Sequence, residues 1–384
     1  MIPRALHPTR RLGLFAACLL VFAAACDDVE PTAPAEDVEF ARIGGPGHLS
    51  VYTQNVYLGG DTGPIFSIDF SDIPALMAAT STFWAEVQAS DVAERMHEIA
   101  NELDRRRPHL VGLQEVFQFV AVDLSTGAPV VTDFIDLLAL LQGEIDARGL
   151  PYEVVAVQEN TSTGSQIGLP RSPTSILQFT DRIAALRRTD VPVTAVDHAN
   201  FAASAPLGPL TLERGWIRLA AEHRGEPVHF VTTHLEIQAL APLQAAQSAE
   251  LLGSVMAGLE GTVVLAGDLN SDPENPGAPS WTPTYDDMIA AGFSDAWRDG
   301  RCTSRRPGYT CCQDPGLRNG PSALDRRLDF VLVKGAASAG NGRRGEPHLR
   351  AALVGARQRD RTATNGLWPS DHAGVWAALR VRSR

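Results

Sequence analysis

Short apolar runs that alternate with helical patterns constrain the fold of this chain more than any other feature. The apolar runs predict strands at residues 49–56, 109–114, 152–157, 176–179, 183–186, 216–221, 228–233, 262–266, 328–333 and 374–379. Apolar positions spaced along one helix face predict helices at residues 90–107, 133–148 and 238–257. Because strands and helices mix without an internal boundary, we expect one α/β (α+β) sandwich domain at residues 49–382.

The first 25 residues have the pattern of an export signal. They carry Arg4, Arg10 and Arg11 without an acidic residue, and an apolar run that is shorter than a membrane span follows. The run ends in Ala-Ala-Ala-Cys26, which resembles a bacterial lipoprotein signal, whose cysteine is lipidated. An ordinary signal cleaved after an A-x-A site, with Cys26 incidental, is the alternative. The first interpretation predicts a protein anchored to a bacterial membrane and facing the periplasm or the exterior.

The residues after this signal and the overall charge limit the class of partner. Residues 26–48 are rich in Pro, Ala and acidic residues, which predicts a flexible tether. The chain has 33 basic and 45 acidic residues, a net charge of −12, which becomes −15 without the three arginines of residues 1–25. A chain this acidic does not present the broad basic surface of a duplex-binding protein, so only a local group of arginines would contact phosphates.

Polar residues stand where several predicted strands begin or end. They form the sets Gln54-Asn55, Gln114-Glu115, Thr233-His234, Gly267-Asp268-Leu269-Asn270, Arg327-Leu328-Asp329 and Ser370-Asp371-His372. One such set alone is more typical of a turn or of a solvated charge than of a site. Six sets in order, each at a strand edge, predict a cleft in which carboxylates, amides and imidazoles converge.

Two pairs among these residues suit the activation of water. Asn55 and Glu115 offer hard oxygen ligands, which Mg²⁺ or Mn²⁺ prefers. Asp329 and His372 would form a pair in which the carboxylate fixes the tautomer of a histidine base. The sequence therefore predicts a divalent metal and a general base within one site.

The remaining polar residues suit the recognition of a phosphate. Asp268 would orient or deprotonate the attacking water, and Asn270 would donate to a non-bridging phosphate oxygen. His234 would neutralise the charge that develops on five-coordinate phosphorus. Together these residues predict hydrolysis of a phosphoester.

The six sets match, in order, the motifs of the endonuclease/exonuclease/phosphatase superfamily, which the chain resembles over residues 49–382. The resemblance implies a four-layer α/β sandwich, with two mixed β-sheets face to face and helices outside. It also implies a metal-dependent phosphoester hydrolase that uses Mg²⁺ or Mn²⁺. Its active site would lie at the strand ends, in a cleft at one edge of the sandwich.

The resemblance also assigns roles to residues that chemistry alone leaves open. Asn55 and Glu115 correspond to the metal ligands, and Asp371 to an auxiliary aspartate of the metal site. The segment 180–186 is similar to the place where nucleases of the family carry a phosphate-binding arginine, which is Arg182 in this sequence. A surface arginine is the equal alternative for Arg182.

Three cysteines lie close together outside the signal: Cys302, Cys311 and Cys312. Export favours a disulfide bond, and we expect Cys302 to pair with Cys311 or Cys312 because neighbouring cysteines pair only with strain. Binding of zinc by the three thiols is an alternative, but the sequence offers no evident fourth ligand. The loop that carries them is expected at residues 298–324, either at the rim of the cleft or on the surface.

The favoured hypothesis is an exported, nuclease-like phosphodiester hydrolase that acts as a monomer. One alternative is a sphingomyelinase or phospholipase C-type enzyme that cleaves a phospholipid headgroup; another is a non-catalytic binding relative. Aromatic residues in segment 57–89 would either contact lipid or pack as a cap over the sheet; they are Phe66, Phe70, Phe83 and Trp84. Arginines in the cleft would favour a nucleic acid, and exposed aromatic residues would favour a lipid. The arginines concerned are Arg171, Arg182, Arg187, Arg188, Arg326 and Arg327.

Overall fold

The structure is a computed structural model that describes residues 48–164, 168–300, 307–335 and 349–381. The predicted signal at residues 1–25, the predicted tether up to residue 47, the proposed lipidation site Cys26 and Cys302 lie outside the described residues. No helix among the described residues is long and apolar enough to span a membrane.

Seventeen strands form within the described part of the chain. In chain order they are β1 (His48–Asn55), β2 (Leu110–Gln114), β3 (Gln118–Asp123), β4 (Val130–Asp136), β5 (Tyr152–Ser162), β6 (Leu169–Ser172), β7 (Ser175–Arg188), β8 (Val193–Asn200), β9 (Ala205–Leu207), β10 (Leu210–Leu212), β11 (Gly215–His223), β12 (Glu226–His234), β13 (Thr262–Asp268), β14 (Ser294–Asp295), β15 (Asp329–Lys334), β16 (Leu349–Val354) and β17 (Gly374–Arg380).

The strands form two large mixed sheets and one small hairpin. Sheet A has the order β16-β17-β1-β2-β7-β3-β4, and β5 and β6 also pair with β7. Sheet B has the order β14-β15-β13-β12-β11-β8, and β9 pairs with β10. Most neighbours are antiparallel, but β1 pairs with β2 and β12 pairs with β13 in parallel.

Helices cover the outer faces of both sheets. They are α1 (Gly63–Phe66), α2 (Ile73–Ala89), α3 (Val92–Arg106), α4 (Leu137–Ala147), α5 (Ala241–Glu250) and α6 (Thr284–Ala290). A π-helical turn, Leu251–Val255, continues α5, and short 3-10 turns occupy Gln238–Leu240 and Gln358–Asp360.

Three apolar cores correspond to the three spaces between the four layers. The central core joins the inner faces of the two sheets, for example Val51 of β1 and Val264 of β13. A second core packs α2, α3 and α4 on sheet A, and a third packs α6 and the π-helical turn after α5 on sheet B. Each sheet is therefore buried on both faces, which explains why the strands read as apolar runs. The expected four-layer α/β sandwich is confirmed.

The sheets approach each other closely behind the polar strand ends. A Cβ atom on Gly112 of β2 would lie 2.2 Å from Thr232 Oγ1 of β12, so only glycine fits at this position. In the same strands, Gln114 Nε2 donates to Thr232 Oγ1 at 3.1 Å. This close approach brings the ends of strands from both sheets to one place.

The structure corrects several predicted element bounds. The runs at 176–179 and 183–186 belong to one long strand, β7. The helix predicted from residue 133 begins at Leu137, because residues 130–136 pair with β3 as strand β4. Asp136 then caps α4, accepting a hydrogen bond from Ala139 N at 3.0 Å.

Segment 57–89, for which the sequence pattern predicted no helix, contains helix α2. Helix α2 begins after Asp72, whose side chain accepts from Ala75 N at 3.1 Å. Phe83 and Trp84 are 3% and 4% exposed, and both rings contact Phe119 of sheet A edge to face. Phe83 and Trp84 therefore pack as a cap over the sheet, one of the two alternatives considered, whereas Phe66 and Phe70 are half-buried and Phe66 lines the cleft.

Candidate active site

Strand directions bring the predicted site residues to one edge of the sandwich. The parallel pair β1 and β2 ends at Asn55 and Gln114, next to Glu115, and the parallel pair β12 and β13 ends at His234 and Asp268. The antiparallel strand β15 begins at Asp329, which lies opposite Asp268. The strand β17 begins beside the end of β1. We call this group the polar edge; it comprises Asn55, Glu115, His234, Asp268, Asn270, Asp329 and His372.

Asn55 connects the carboxylates of the two sheets. Its Nδ2 donates to Glu115 Oε1 at 3.0 Å and to Asp268 Oδ2 at 3.1 Å, while its Oδ1 accepts from Tyr57 N at 3.0 Å. Asn55 was predicted as a metal ligand through its oxygen. In this arrangement its amide nitrogen faces the carboxylates, so Asn55 positions Glu115 and Asp268.

His372 lies beside three carboxylates. Its Nδ1 is 2.8 Å from Asp329 Oδ2 and 3.8 Å from Asp268 Oδ2. Burial alone would lower the pKa of His372, but Asp329, Asp371 and Asp268 outweigh burial and raise it well above its usual value. The hydrogen bond to Asp329 leaves Nε2 free of that carboxylate and available to a water in the cleft.

His234 has the opposite surroundings. Arg214 Nη1 lies 3.0 Å from His234 Nδ1, and Asp268 Oδ2 lies 3.6 Å from His234 Nε2. Burial, then Arg214 and His372, lower the pKa of His234 well below its usual value. Since a guanidinium only donates, Nδ1 accepts and the ring proton resides on Nε2.

Acidic residues hold Arg214 in place. Arg214 Nη1 donates to Asp181 Oδ2 at 3.1 Å, and its Nε and Nη2 donate to the two oxygens of Glu236 at 3.3 Å. Burial, partly offset by Arg214, raises the pKa of Asp181 to about 6. Asn160 Nδ2 also donates to Asp181 at 3.2 Å. None of these four residues was predicted as a site residue from the sequence.

Asn270 and Glu115 adopt backbone conformations that are uncommon for side chains other than glycine. Their φ angles are 50° and 56°, in the left-handed region. Asn270 N donates to Asp268 Oδ1 at 2.9 Å, and Asn270 Nδ2 lies 3.2 Å from His234 Nε2. Such backbone turns direct both side chains into the cleft at the point where their strands end.

The polar edge fits a hard divalent cation. Asp329 Oδ1 is buried and has no hydrogen-bond partner among the described residues, and ligand atoms of Asp268, Asp329 and His372 lie within 4.8 Å of one another. Burial and the Asp329 carboxylate raise the pKa of Asp268 to about 7, which a nearby positive charge would reverse. Each oxygen of Glu115 accepts one hydrogen bond and keeps a lone pair.

Asp371, predicted as an auxiliary metal residue, is the neighbour of His372 in the chain and is not among the residues that line the cleft. It accepts a hydrogen bond from Ser370 Oγ at 3.4 Å. Burial raises its pKa to about 7, with a further rise from Glu115 that His372 partly offsets. Its charge therefore acts on the polar edge through His372 and Glu115.

Arg182 is not where the resemblance placed it. Side chains alternate along a strand, so neighbours in β7 face opposite sides. Asp181 lines the cleft, whereas Arg182 turns the other way and donates to Val116 O at 2.8 Å and to both oxygens of Asp136 at 2.5 and 3.2 Å. The prediction that Arg182 binds substrate phosphate is wrong in this structure, and Arg214 is an arginine that lines the cleft.

The cysteine pairing also differs from the expectation. Cys311 and Cys312 are joined to each other, with Cα atoms 3.1 Å apart. Cys302 lies outside the described residues. Both cysteines line the cleft, and Cys312 Sγ is 3.9 Å from His372 Nε2.

A buried arginine supports the polar edge from behind. Arg95 of α3 is fully buried and donates to the carbonyl oxygens of Val56 at 2.7 Å, Tyr57 at 3.1 Å, Ser90 at 3.0 Å and Pro369 at 3.4 Å. Burial lowers the pKa of Arg95 to about 10. One side chain thus fixes the loop after β1 and the loop before His372.

The polar edge opens into a cleft of about 330 Å³. Its second side is apolar and comes from α1, α2, β6, β7 and β10. We call this side the apolar wall; it comprises Ile65, Phe66, Phe83, Leu169, Phe179 and Leu212.

Few of the candidate arginines reach this cleft. Arg326 lines it, whereas Arg171 lies over the Trp84 ring and the others form ion pairs elsewhere. These pairs are Arg182–Asp136, Arg187–Glu153, Arg188–Asp190 and Arg327 with Asp295 and Glu274. The cleft is therefore poor in unpaired basic side chains among the described residues.

Solved structures share this fold. TDP2 from Caenorhabditis elegans is 19% identical with a TM-score of 0.50, over 90% of this chain and 80% of its own. A Bacteroides thetaiotaomicron mannosyl-6-phosphatase is 14% identical with a TM-score of 0.51, over 86% and 99% of the two chains. An endonuclease/exonuclease/phosphatase from Beutenbergia cavernae is 20% identical with a TM-score of 0.51, over 88% and 72%. At these identities the likeness shows the fold alone.

Sequence comparison assigns the family. A search of curated proteins finds no match. The sequence model of the Endonuclease/Exonuclease/phosphatase family matches residues 53–372, which span every member of the polar edge. The resemblance read from the six motifs is confirmed, and the chain belongs to this family of phosphoester hydrolases.

Proposed function

We propose that the protein is a divalent-metal-dependent phosphodiester hydrolase in which His372 activates the attacking water. The observation that carries this proposal is the pair formed by His372 Nδ1 and Asp329 Oδ2 at 2.8 Å, beside Asp268 in one cleft. Asp329 orients the ring so that Nε2 of the deprotonated imidazole is the nitrogen that receives the proton of the water. Asp268 orients that water, and Asn270 and His234 donate to phosphate oxygens.

Glu115, Asp268 and Asp329 are the residues that would hold the metal. A bound Mg²⁺ or Mn²⁺ supplies positive charge that stabilises the oxyanions of the reaction. His234 complements this charge as a neutral donor, because Arg214 keeps its proton on Nε2. Asn55 keeps Glu115 and Asp268 at a fixed separation.

Hydrolysis of bis(p-nitrophenyl) phosphate by the purified chain tests this proposal. We expect activity with Mg²⁺ or Mn²⁺ that EDTA abolishes, and a loss of at least about a hundredfold in Glu115→Gln and His372→Asn. Glu144→Gln on the surface of α4 is the matched carboxylate control and should retain activity. Full activity of both site variants in EDTA would contradict the mechanism.

Export with a lipid anchor on Cys26 is a separate proposal, supported by the basic start, the apolar run and Ala-Ala-Ala-Cys26. Expression of the full chain in a bacterium, followed by detergent phase separation, tests it. We expect the protein in the detergent phase, and Cys26→Ser in the aqueous phase or unprocessed. Cys18→Ser, within the apolar run, is the control and should behave as the parent chain does. The same partition for Cys26→Ser and the parent would contradict lipidation.

A further inference from the structure

The apolar wall has no role in the proposed chemistry, although it shares the cleft with the polar edge. Ile65, Phe83 and Leu169 in it are 1%, 3% and 2% exposed, whereas Phe66 and Leu212 are half-buried. Water or an ion needs no such surface, and a cleft lined by aliphatic and aromatic side chains selects an apolar ligand. The wall is therefore a candidate for substrate selection.

Several separate elements build this wall. Helix α1 supplies Ile65 and Phe66, α2 supplies Phe83, and the paired strands β6 and β7 supply Leu169 and Phe179. Phe83, Leu169 and Phe179 also belong to the core between sheet A and its helices. Packing against that core fixes the wall, so its shape does not depend on the bound substrate.

The charge of the cleft argues against a polyanionic ligand. Its half-buried cation, Arg214, is neutralised by Asp181 and Glu236. Arg326 pairs with Asp325 at 3.2 Å, and its Nη2 also lies 3.3 Å from Cys312 Sγ. Binding of a nucleic acid strand relies on several unpaired cations along the backbone path. A ligand with one phosphodiester and a hydrocarbon portion matches both sides of the cleft.

We propose that the substrate is a lipid phosphodiester whose hydrocarbon chain lies against the apolar wall while its phosphorus sits at the polar edge. This inference rests on the proposed function and adds the substrate class to it. In the reaction, the oxygen of water bonds to phosphorus and one P–O ester bond breaks. The released alcohol takes up a proton and the phosphate monoester remains.

A series of p-nitrophenyl alkyl phosphodiesters, with methyl, butyl and octyl groups, tests the proposal below their micelle concentrations. The leaving group is constant, so differences in kcat/KM report the alkyl chain. We expect kcat/KM to rise about threefold to fourfold for each methylene that contacts the wall. An octyl-to-methyl ratio within about twofold, with hydrolysis intact, would overturn the proposal.

Two wall variants and one control make the result specific. Phe66→Asp and Leu212→Asp place a charge on the half-buried part of the wall, and each should lower the octyl-to-methyl ratio at least about tenfold. Val131→Asp changes an apolar residue that is 61% exposed on β4 and should leave the ratio unchanged. If Phe66→Asp fails to fold, as circular dichroism would show, Leu212→Asp decides; an unchanged ratio there overturns the proposal.

A parallel assay with plasmid DNA separates failure of the lipid proposal from failure of the phosphodiesterase proposal. Cleavage of plasmid DNA with a higher kcat/KM than the octyl ester would overturn the lipid proposal and leave the phosphodiesterase function standing. Hydrolysis of neither DNA nor any ester, with Mg²⁺ or Mn²⁺ present, would overturn the phosphodiesterase function itself. Faster turnover of the octyl ester than of DNA is the result that supports the inference.

Discussion

Two buried histidines flank Asp268, and their surroundings carry opposite charge. His372 faces Asp329, Asp371 and Asp268, which raise its pKa against the effect of burial, whereas burial lowers the pKa of His234 and Arg214 adds to that lowering. Both rings are buried to a similar degree, with 7% and 3% of their surface exposed. The charge of the partner, not the depth of burial, therefore gives one histidine the character of a base and the other that of a neutral hydrogen-bond donor.

The largest expected effect comes from removing the charge beside His372. In Asp329→Asn the amide no longer stabilises the charged ring and permits the wrong tautomer, so we expect kcat to fall about a thousandfold. Steady-state hydrolysis of bis(p-nitrophenyl) phosphate measures this change. Asp325→Asn, four residues earlier and exposed, is the control and should match the parent. A fall in kcat of less than about threefold in Asp329→Asn would show that this carboxylate does not give His372 the character of a base.

Replacing Arg214 tests whether this cation helps to lower the pKa of His234. In Arg214→Gln a neutral amide replaces the cation, so the pKa of His234 should rise, and kcat should fall about tenfold as the ring loses its fixed tautomer. Titration of the histidine ring signals by NMR measures the pKa. Arg218→Gln, whose parent residue pairs with Asp197, is the matched control. An unchanged His234 pKa would show that burial alone lowers it.

His109 provides a buried histidine away from the cleft. Ser50 N donates to its Nδ1 at 3.0 Å, and burial, then Arg188 and His223, lower its pKa to about 3. The unfolded chain, with an ordinary pKa of about 6.5, binds a proton between pH 6.5 and 3 that the folded chain excludes, so stability falls as pH falls through this window. His109 therefore serves as a reference for His372 and His234, because carboxylates contribute little to its pKa.

Between pH 7 and pH 4.5, we expect the free energy of unfolding of His109→Gln to fall by about 2 kcal/mol less than that of the parent. Urea unfolding at the two pH values measures the difference. His97→Gln, on the exposed face of α3, is the control and should follow the parent. Equal losses in the parent and in His109→Gln would mean that His109 is protonated in the folded state.

The smallest effect on activity is expected for Arg182. Because its guanidinium contacts Asp136 and Val116 O on the far side of β7, Arg182→Gln should change KM less than about twofold and lower the free energy of unfolding by about 1 kcal/mol. Enzyme kinetics and urea unfolding measure the two quantities. A tenfold rise in KM would restore Arg182 as a phosphate ligand and weaken the assignment of Arg214.

Most of the polar edge was predictable from sequence because its members follow apolar runs. Asn55, Glu115 and Asp268 each stand at a strand end, and strand ends of adjacent parallel strands meet. Arg214 and Asp181 were missed because nothing in their local pattern distinguishes them from other strand polar residues. Asp181 and Arg182 are neighbours, and which of the two faces the cleft depends on the register of β7, which the sequence pattern did not reveal.

The four-layer architecture was likewise predictable from the sequence, whereas the first and last residues of individual helices and strands were less so. Helix α2 carried a recognisable start signal, Asp72 followed by Pro74 in the first turn. Its apolar residues lie on more than one face because it packs between sheet A and the cleft, so no clean helical period stood out. The apolar wall was beyond prediction, since α1, β6 and β10 meet only through tertiary packing.

The position of the last strand has a consequence for the order of events during synthesis. β17 pairs with β1 on one side and β16 on the other, and Arg95 reaches Pro369 just before it. His372 is therefore synthesised after every other member of the polar edge, and β17 must pair with β1 and β16 before His372 is held beside Asp329. A chain truncated before residue 369 would lack His372 and, with it, a complete polar edge.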